Sequence, residues 1–107
     1  MTKTALHKPV MLKEAIKYLQ IKPSSWYVDT TFGRGGHTQE IIKKGGKVIA
    51  FDVDEEAIEY GHEAFASDIA AGNLRLVRAN FSHLEAEVNK FQTDQAETTQ
   101  VDGILFD

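Results

Sequence analysis

The chain has 107 residues, enough for one small domain with a modest core. Its 42% hydrophobic and 26% charged residues are an ordinary globular mix, and with no cysteine it carries no disulfide, zinc–thiolate site or thiol nucleophile. The formal charge of −4 argues against a domain that coats nucleic acid, and no apolar run approaches the roughly 20 residues that span a bilayer.

There is no signal-type apolar core at the N-terminus, so a soluble, cytoplasmic protein with no membrane partner is expected. The charge is unevenly placed. Residues 1–47 hold nine Lys/Arg against three acids, and residues 48–107 hold three against thirteen. Such a split can turn a basic face to a polyanion; it is equally the signature of two ordinary solvated surfaces.

In chain order, Met11–Gln20 reads as a helix, with Leu12, Ala15, Ile16 and Leu19 at helical spacing. Pro23, Ser24 and Ser25 form a loop into a first strand, Trp26–Phe32. A helix over His37–Lys44 stops at Gly45-Gly46, a good C-terminal signal. Lys47–Val53 is the second strand, and Asp54 caps a helix over Glu55–Ser67 whose acidic first turn suits the helix dipole. Gly72-Asn73 turns the chain into a third strand, Leu74–Ala79. Ser82 and Glu85 form a capping box for a helix with Leu84, Val88 and Phe91 on one face, and Val101–Asp107 is a fourth strand. Apolar runs alternating with amphipathic segments predict an α/β fold with a parallel sheet and crossover helices. In such sheets ligands bind beyond the carboxyl ends of the strands. The sequence stops on the last residue of a strand, where a functional loop is due, so a truncated protein is expected.

Gly33-Arg34-Gly35-Gly36 follows a strand and opens a helix, which lets backbone N–H groups face a ligand. The dinucleotide fingerprint needs glycine where this chain has Thr38, and no Gly-Lys-Ser/Thr follows to make a P-loop. By itself the segment is equally a tight strand-to-helix turn. Two acids sharpen it. Asp29, ahead of the glycines, would repel a pyrophosphate but suits a cationic group. Asp52 ends the second strand near the spacing at which a carboxylate accepts from ribose hydroxyls, whereas Asp54 better fits a helix cap. Together they describe a ligand with a ribose and a positive amino-acid moiety, which S-adenosylmethionine fits better than a dinucleotide. His7, His62 and His83 show no metal-ligand spacing, so no metal is expected. The Trp26–Tyr27 pair reads as packing at the strand start rather than base stacking.

Five blocks then resemble one family. They are His7-x-Pro9-Val10-Met11-Leu12-x-Glu14, Tyr27 through His37, Phe51-Asp52-x-Asp54-x-x-Ala57-Ile58, Asn80-Phe81-Ser82, and Val101 through Asp107. In this order they look like the RsmH/MraW family, bacterial methyltransferases acting on the exocyclic amine of a cytosine in 16S rRNA. The Thr-Phe-Gly-x-Gly-Gly-His block is the distinctive one. The resemblance implies a Rossmann-like S-adenosylmethionine-dependent methyltransferase fold. Residues 1–25 would be an N-terminal helical segment. Residues 26–107 would be a partial cofactor-binding domain, the N-terminal half of the sheet, truncated after the fourth strand.

It also implies cofactor contacts at Gly35, Gly36, His37, Asp52, Phe81 and Asp107, beside the Asp29 and Gly33 chosen above. Gly35, Gly36 and His37 would wrap the methionine end, Asp52 would hold the ribose, and Phe81 would flank adenine. Asp107 would stand at the catalytic position. Without the motif, His37 is a polar residue in a first helical turn, Phe81 a core residue, and Asp107 a terminal carboxylate. The family continues from that acid with Leu-Gly and small polar residues, and here only the acid is present. The implied partner of the longer protein is 16S rRNA or the small ribosomal subunit. Methyl transfer by this stretch alone is not expected, and its cofactor binding should be weak, because a half-sheet leaves an unpaired edge and an uncovered apolar face. A non-catalytic α/β nucleotide-binding module and an NAD-dependent oxidoreductase fragment remain open alternatives; the latter leaves Asp29 and Thr38 unexplained.

Overall fold

The runs rich in Val, Ile, Phe and Tyr pair side by side, and the amphipathic segments between them pack as helices. The computed structural model describes residues 3–4, 12–80, 83, 86–87, 89–90 and 101–105. Its elements are β1 (Lys3–Thr4), α1 (Leu12–Leu19), β2 (Trp26–Asp29), α2 (Gly36–Lys43), β3 (Lys47–Asp52), α3 (Glu55–Ala64), α4 (Ala66–Ala70), β4 (Leu74–Arg78) and β5 (Val101–Leu105). The sheet runs β1-β5-β2-β3-β4 and every pairing is parallel. From β2 the chain steps outward to β3 and β4, whereas β5 lies on β2's other side. Strand order therefore reverses between β2 and β5, which makes their carboxyl ends the expected place for a ligand.

Register decides which side chains meet the helices. Tyr27 stands opposite Val48 and Gly103, and Val48 opposite Leu74. With side chains alternating between faces, Tyr27, Val48, Ala50, Leu74 and Leu105 share one core with Ile16 and Leu19 of α1, Ile41 of α2, Phe32 and Phe65. Each such aliphatic side chain contributes about 1.5–3 kcal/mol by leaving water. The tyrosine keeps its polar end satisfied, since its hydroxyl accepts from Lys22 N at 2.8 Å.

The chain-order reading holds for most elements and departs in four places. The first strand ends at Asp29 rather than Phe32, because the chain there turns across the sheet's end and Phe32 N donates to Phe51 O at 2.7 Å. The helix expected over Glu55–Ser67 breaks into α3 and α4 at Phe65, whose backbone (φ −113°) lets the ring drop into the core. β1 was not foreseen in residues 1–25. It pairs with the outer edge of β5, Lys3 opposite Gly103 and Thr4 opposite Ile104, so that edge is not bare. The sheet's second face is not uncovered either, since Val28, Ile49, Phe51 and Val101 are at most 4% exposed. The helix expected from Ser82, with its capping box and its Leu84, Val88 and Phe91, falls largely outside the described residues, of which 86–87 and 89–90 are helical.

The helix stop is as expected. Gly45 N donates to Ile42 O and Gly46 N to Ile41 O, the paired bonds of a Schellman motif ending α2.

Burial of the second face has a measurable consequence. Ile49→Ala should destabilise the chain by about 2–5 kcal/mol in urea unfolding. A loss below about 1 kcal/mol would mean that this face is open to water.

Candidate functional site

β2 and β3 each end on an aspartate, and the loop leaving β2 is fastened to both. Thr30 donates from N (3.0 Å) and from Oγ1 (2.9 Å) to Leu105 O, joining the loop to β5. Phe32 N joins it to β3. Gly33 N donates to Asp52 Oδ2 at 2.8 Å, and Asp54 N donates to Oδ1 of the same carboxylate at 2.9 Å. One carboxylate thus sets both the glycine loop and the entry to α3. Bonds to a charged acceptor contribute about 1.5–3 kcal/mol each.

Asp29 is fully buried. Its Oδ1 accepts from Thr31 N at 3.1 Å and its Oδ2 from Thr38 Oγ1 at 2.8 Å. Strand alternation puts it on the same face as Tyr27, beneath α2, so the carboxylate offered by the sequence to a cationic ligand is turned inward onto the loop and the helix. Thr38, the residue that spoils the dinucleotide fingerprint, is its buried partner.

The glycines divide by what they face. Gly35 sits at φ +82°, and a Cβ there would lie 2.6 Å from the Phe65 ring. That ring meets Phe32 edge-on at 5.5 Å. Glycine at 35 is required by internal packing. Around Gly36 a Cβ would meet nothing within 4 Å, so the exposed start of α2 has free space above it. The N-cap Gly35 has no side chain to cap α2 and the first turn itself holds no acid, while the buried Asp29 carboxylate lies beneath that turn against Thr38. His37 is half-buried in that turn.

Two hollows flank the end of β3. One, about 250 Å³, is lined by Gly33, Arg34, Asp52, Asp54, Glu56 and Ala57. Three carboxylates against one guanidinium make it acidic, and Arg34 is drawn aside, 5.0 Å over the Tyr60 ring. Asp54 is occupied as a cap, accepting from Glu56 N at 3.0 Å. Asp52 is 9% exposed and retains acceptor capacity beyond its two bonds. The other hollow, about 560 Å³, is bounded by Val53, Arg78, Ala79, Asn80, His83 and Glu87. Arg78 Nε donates to Val53 O at 3.2 Å, and His83 Nδ1 lies 2.8 Å from Asn80 Oδ1.

The fold therefore brings Gly33 and Asp52 together at one hollow, with Gly35, Gly36 and His37 along the adjoining turn. Phe81 and Asp107 lie outside the described residues. Sequence reasoning passed over Val53 and Ala79. The available signal was an apolar residue directly after the strand-end acid, which proves 60% exposed. Among the described residues no group of His, Asp or Glu is placed to hold a metal ion, and no helix is long and apolar enough to cross a membrane.

A parallel sheet with its order reversed beside a glycine loop, and an acid ending the next strand, is a Rossmann-like α/β fold. The chain resembles a putative rRNA methylase from Clostridium thermocellum, with TM-score 0.61 and 20% identity over 76% of this chain and 46% of that one. It also resembles an rRNA methylase from Streptococcus thermophilus, with TM-score 0.61 and 27% identity over 78% and 50%. The model of the MraW methylase family matches residues 4–107, and the chain belongs to that family. Among its relatives are proteins named ribosomal RNA small subunit methyltransferase H. That of Caldicellulosiruptor saccharolyticus is 43% identical over 104 residues, and that of Leuconostoc mesenteroides 44% over 103. The match covers 94% of this chain and 31% of each of them, so the chain spans about a third of their length.

The Asp29–Thr38 bond can be tested by substitution. Thr38→Val, which keeps the shape and removes the donor, should cost about 1–3 kcal/mol in denaturant unfolding. Thr38→Ser should recover most of that loss. Equal stability of the valine and serine variants would show that the bond is unimportant.

Proposed function

We propose that the chain is the S-adenosylmethionine-binding part of a methyltransferase that modifies the exocyclic amine of a cytosine in 16S rRNA. The observation that carries the cofactor is the acidic hollow at Asp52. Its carboxylates suit ribose hydroxyls and a cationic group. Family membership and the relatives' names support the reaction and the RNA, and the reading places the protein in the cytoplasm with the ribosome. An NAD-type ligand would also use Asp52 for its ribose; what disfavours it is Thr38, which stands where the dinucleotide fingerprint has its third glycine and is buried against Asp29.

In this reading Asp52 accepts from the ribose hydroxyls while still fixing Gly33. Gly35, Gly36 and His37 offer the exposed start of α2 to the carboxylate of the methionine end. Val53, Ala79 and Asn80 give adenine a partly apolar groove, with Phe81 flanking it. Asp29 acts from beneath, holding the loop and α2 in place. When bound, the cofactor would supply an electrophilic methyl on a sulfonium, open to in-line attack by an amine, with the thioether as leaving group and the amine's proton released. The protein's share is to align that amine and exclude water. Asp107, following β5, is the acceptor proposed to hold the amine and steady its developing positive charge.

Calorimetric titration tests the cofactor assignment. The chain should bind S-adenosylmethionine and not NAD, and Asp52→Ala should weaken binding at least about tenfold through loss of charge-assisted bonds. Circular dichroism checks that the variant stays folded. Binding of NAD with none of S-adenosylmethionine would overturn the reading.

A further inference from the structure

All strands being parallel, their N-terminal ends gather at the end of the sheet opposite the glycine loop, and so do the C-terminal ends of α1 and α2. Two hydrogen bonds tie the loops there together: Ser24 N to Gly45 O, and Lys47 N to Ser25 O, both at 2.8 Å. This junction collects Lys17 from the last turn of α1, Lys22 from the following loop, Lys43 and Lys44 from the end of α2, and Lys47 from the start of β3. Lys17, Lys22, Lys43 and Lys44 are exposed, and Lys47 is half-buried with Nζ 5.7 Å from the Trp26 ring centre.

Described acids towards this end are Glu40 in α2, Glu63 late in α3, Asp68 in α4 and Asp102 near the start of β5. Glu40 meets Lys43 at 3.9 Å across a solvent-exposed gap, which screens the pair to little effect. Complementing helix dipoles accounts for Lys17 and Lys43 but not for Lys22 or Lys47, which lie outside helices. Glu55 and Glu56, in the first turn of α3, and the acids of the Asp52 hollow stand at the other end, beside Arg34 and Arg78. Among the described residues, five lysines thus gather at the strand-start end.

We infer that this lysine-bearing end of the sheet is a contact surface for the phosphate backbone of RNA. The inference rests on the reading that the substrate is an RNA. Strands of five to six residues put it on the order of 15–20 Å from the methyl-transfer end. A folded RNA can reach both ends, its target base at the acidic one and its phosphates at the basic one. The lysines then act as positioning residues, neutralising phosphates without reading sequence.

The test titrates the whole 107-residue chain against a labelled single-stranded RNA over a salt series, with S-adenosylmethionine affinity measured alongside. The triple variant Lys22→Gln, Lys43→Gln, Lys44→Gln should lose about 0.7 of log–log salt slope per contact, near 2 in all, and at least tenfold in affinity at low salt. Its cofactor affinity should be unchanged, and circular dichroism should show it folded at the temperature of the titration. Lys90→Gln, on an exposed helical residue elsewhere, should change RNA affinity less than twofold. The proposal is overturned if the triple variant loses no more per charge than Lys90→Gln. Absence of RNA binding by the unaltered chain, or binding of anionic vesicles in its place, overturns it as well. Lysine-dependent RNA binding without S-adenosylmethionine binding would sustain this surface while removing the cofactor assignment.

Discussion

Two carboxylates at the ends of neighbouring parallel strands hold the glycine-rich loop. Asp29 fixes it from within through Thr31 and Thr38, and Asp52 fixes its crest through Gly33 N. A loop this rich in glycine has large conformational entropy when free, so its shape must come from bonds to something rigid. The strands are that something. The same carboxylate at 52 also accepts from Asp54 N, so the loop and the start of α3 move together. Any ligand bonding to Asp52 is thereby coupled to both.

Packing supplies the second restraint. Phe32 and Phe65 meet edge-on under the loop, and Gly35 is pressed against the Phe65 ring too closely for a side chain. That contact explains why the helix after β3 breaks where it does. A continuous helix through Phe65 would forgo the backbone turn that lets the ring enter the core. The glycines of the motif therefore have different physical reasons. Gly35 is dictated from inside, while Gly36 faces open space where a ligand can approach.

The sheet is polar along its length as well as across its faces. Asp29 and Asp52 end β2 and β3 at one end of the sheet, where β4 ends on Arg78, and Lys47 starts β3 at the other, where Asp102 lies near the start of β5. Helix dipoles reinforce this, since α2 points its positive end at the loop and its negative end at Lys43 and Lys44.

The sequence by itself determined the element types, the parallel α/β class, the Asp54 cap, the helix stop at Gly45-Gly46 and the family. These are local patterns of spacing and turn chemistry, legible without knowing what lies alongside. Only the tertiary structure decided the role of Asp29, because its burial depends on α2 folding back to bring Thr38 over it. The same holds for β1, whose two residues carry no strand signal and exist as a strand only because β5 offers them an edge. Non-local too are the break at Phe65, the hollow bounded by Val53 and Ala79, and the gathering of lysines from α1, α2 and β3 at one end. In each case the deciding partner is far away in sequence, and a reading along the chain has no term for it.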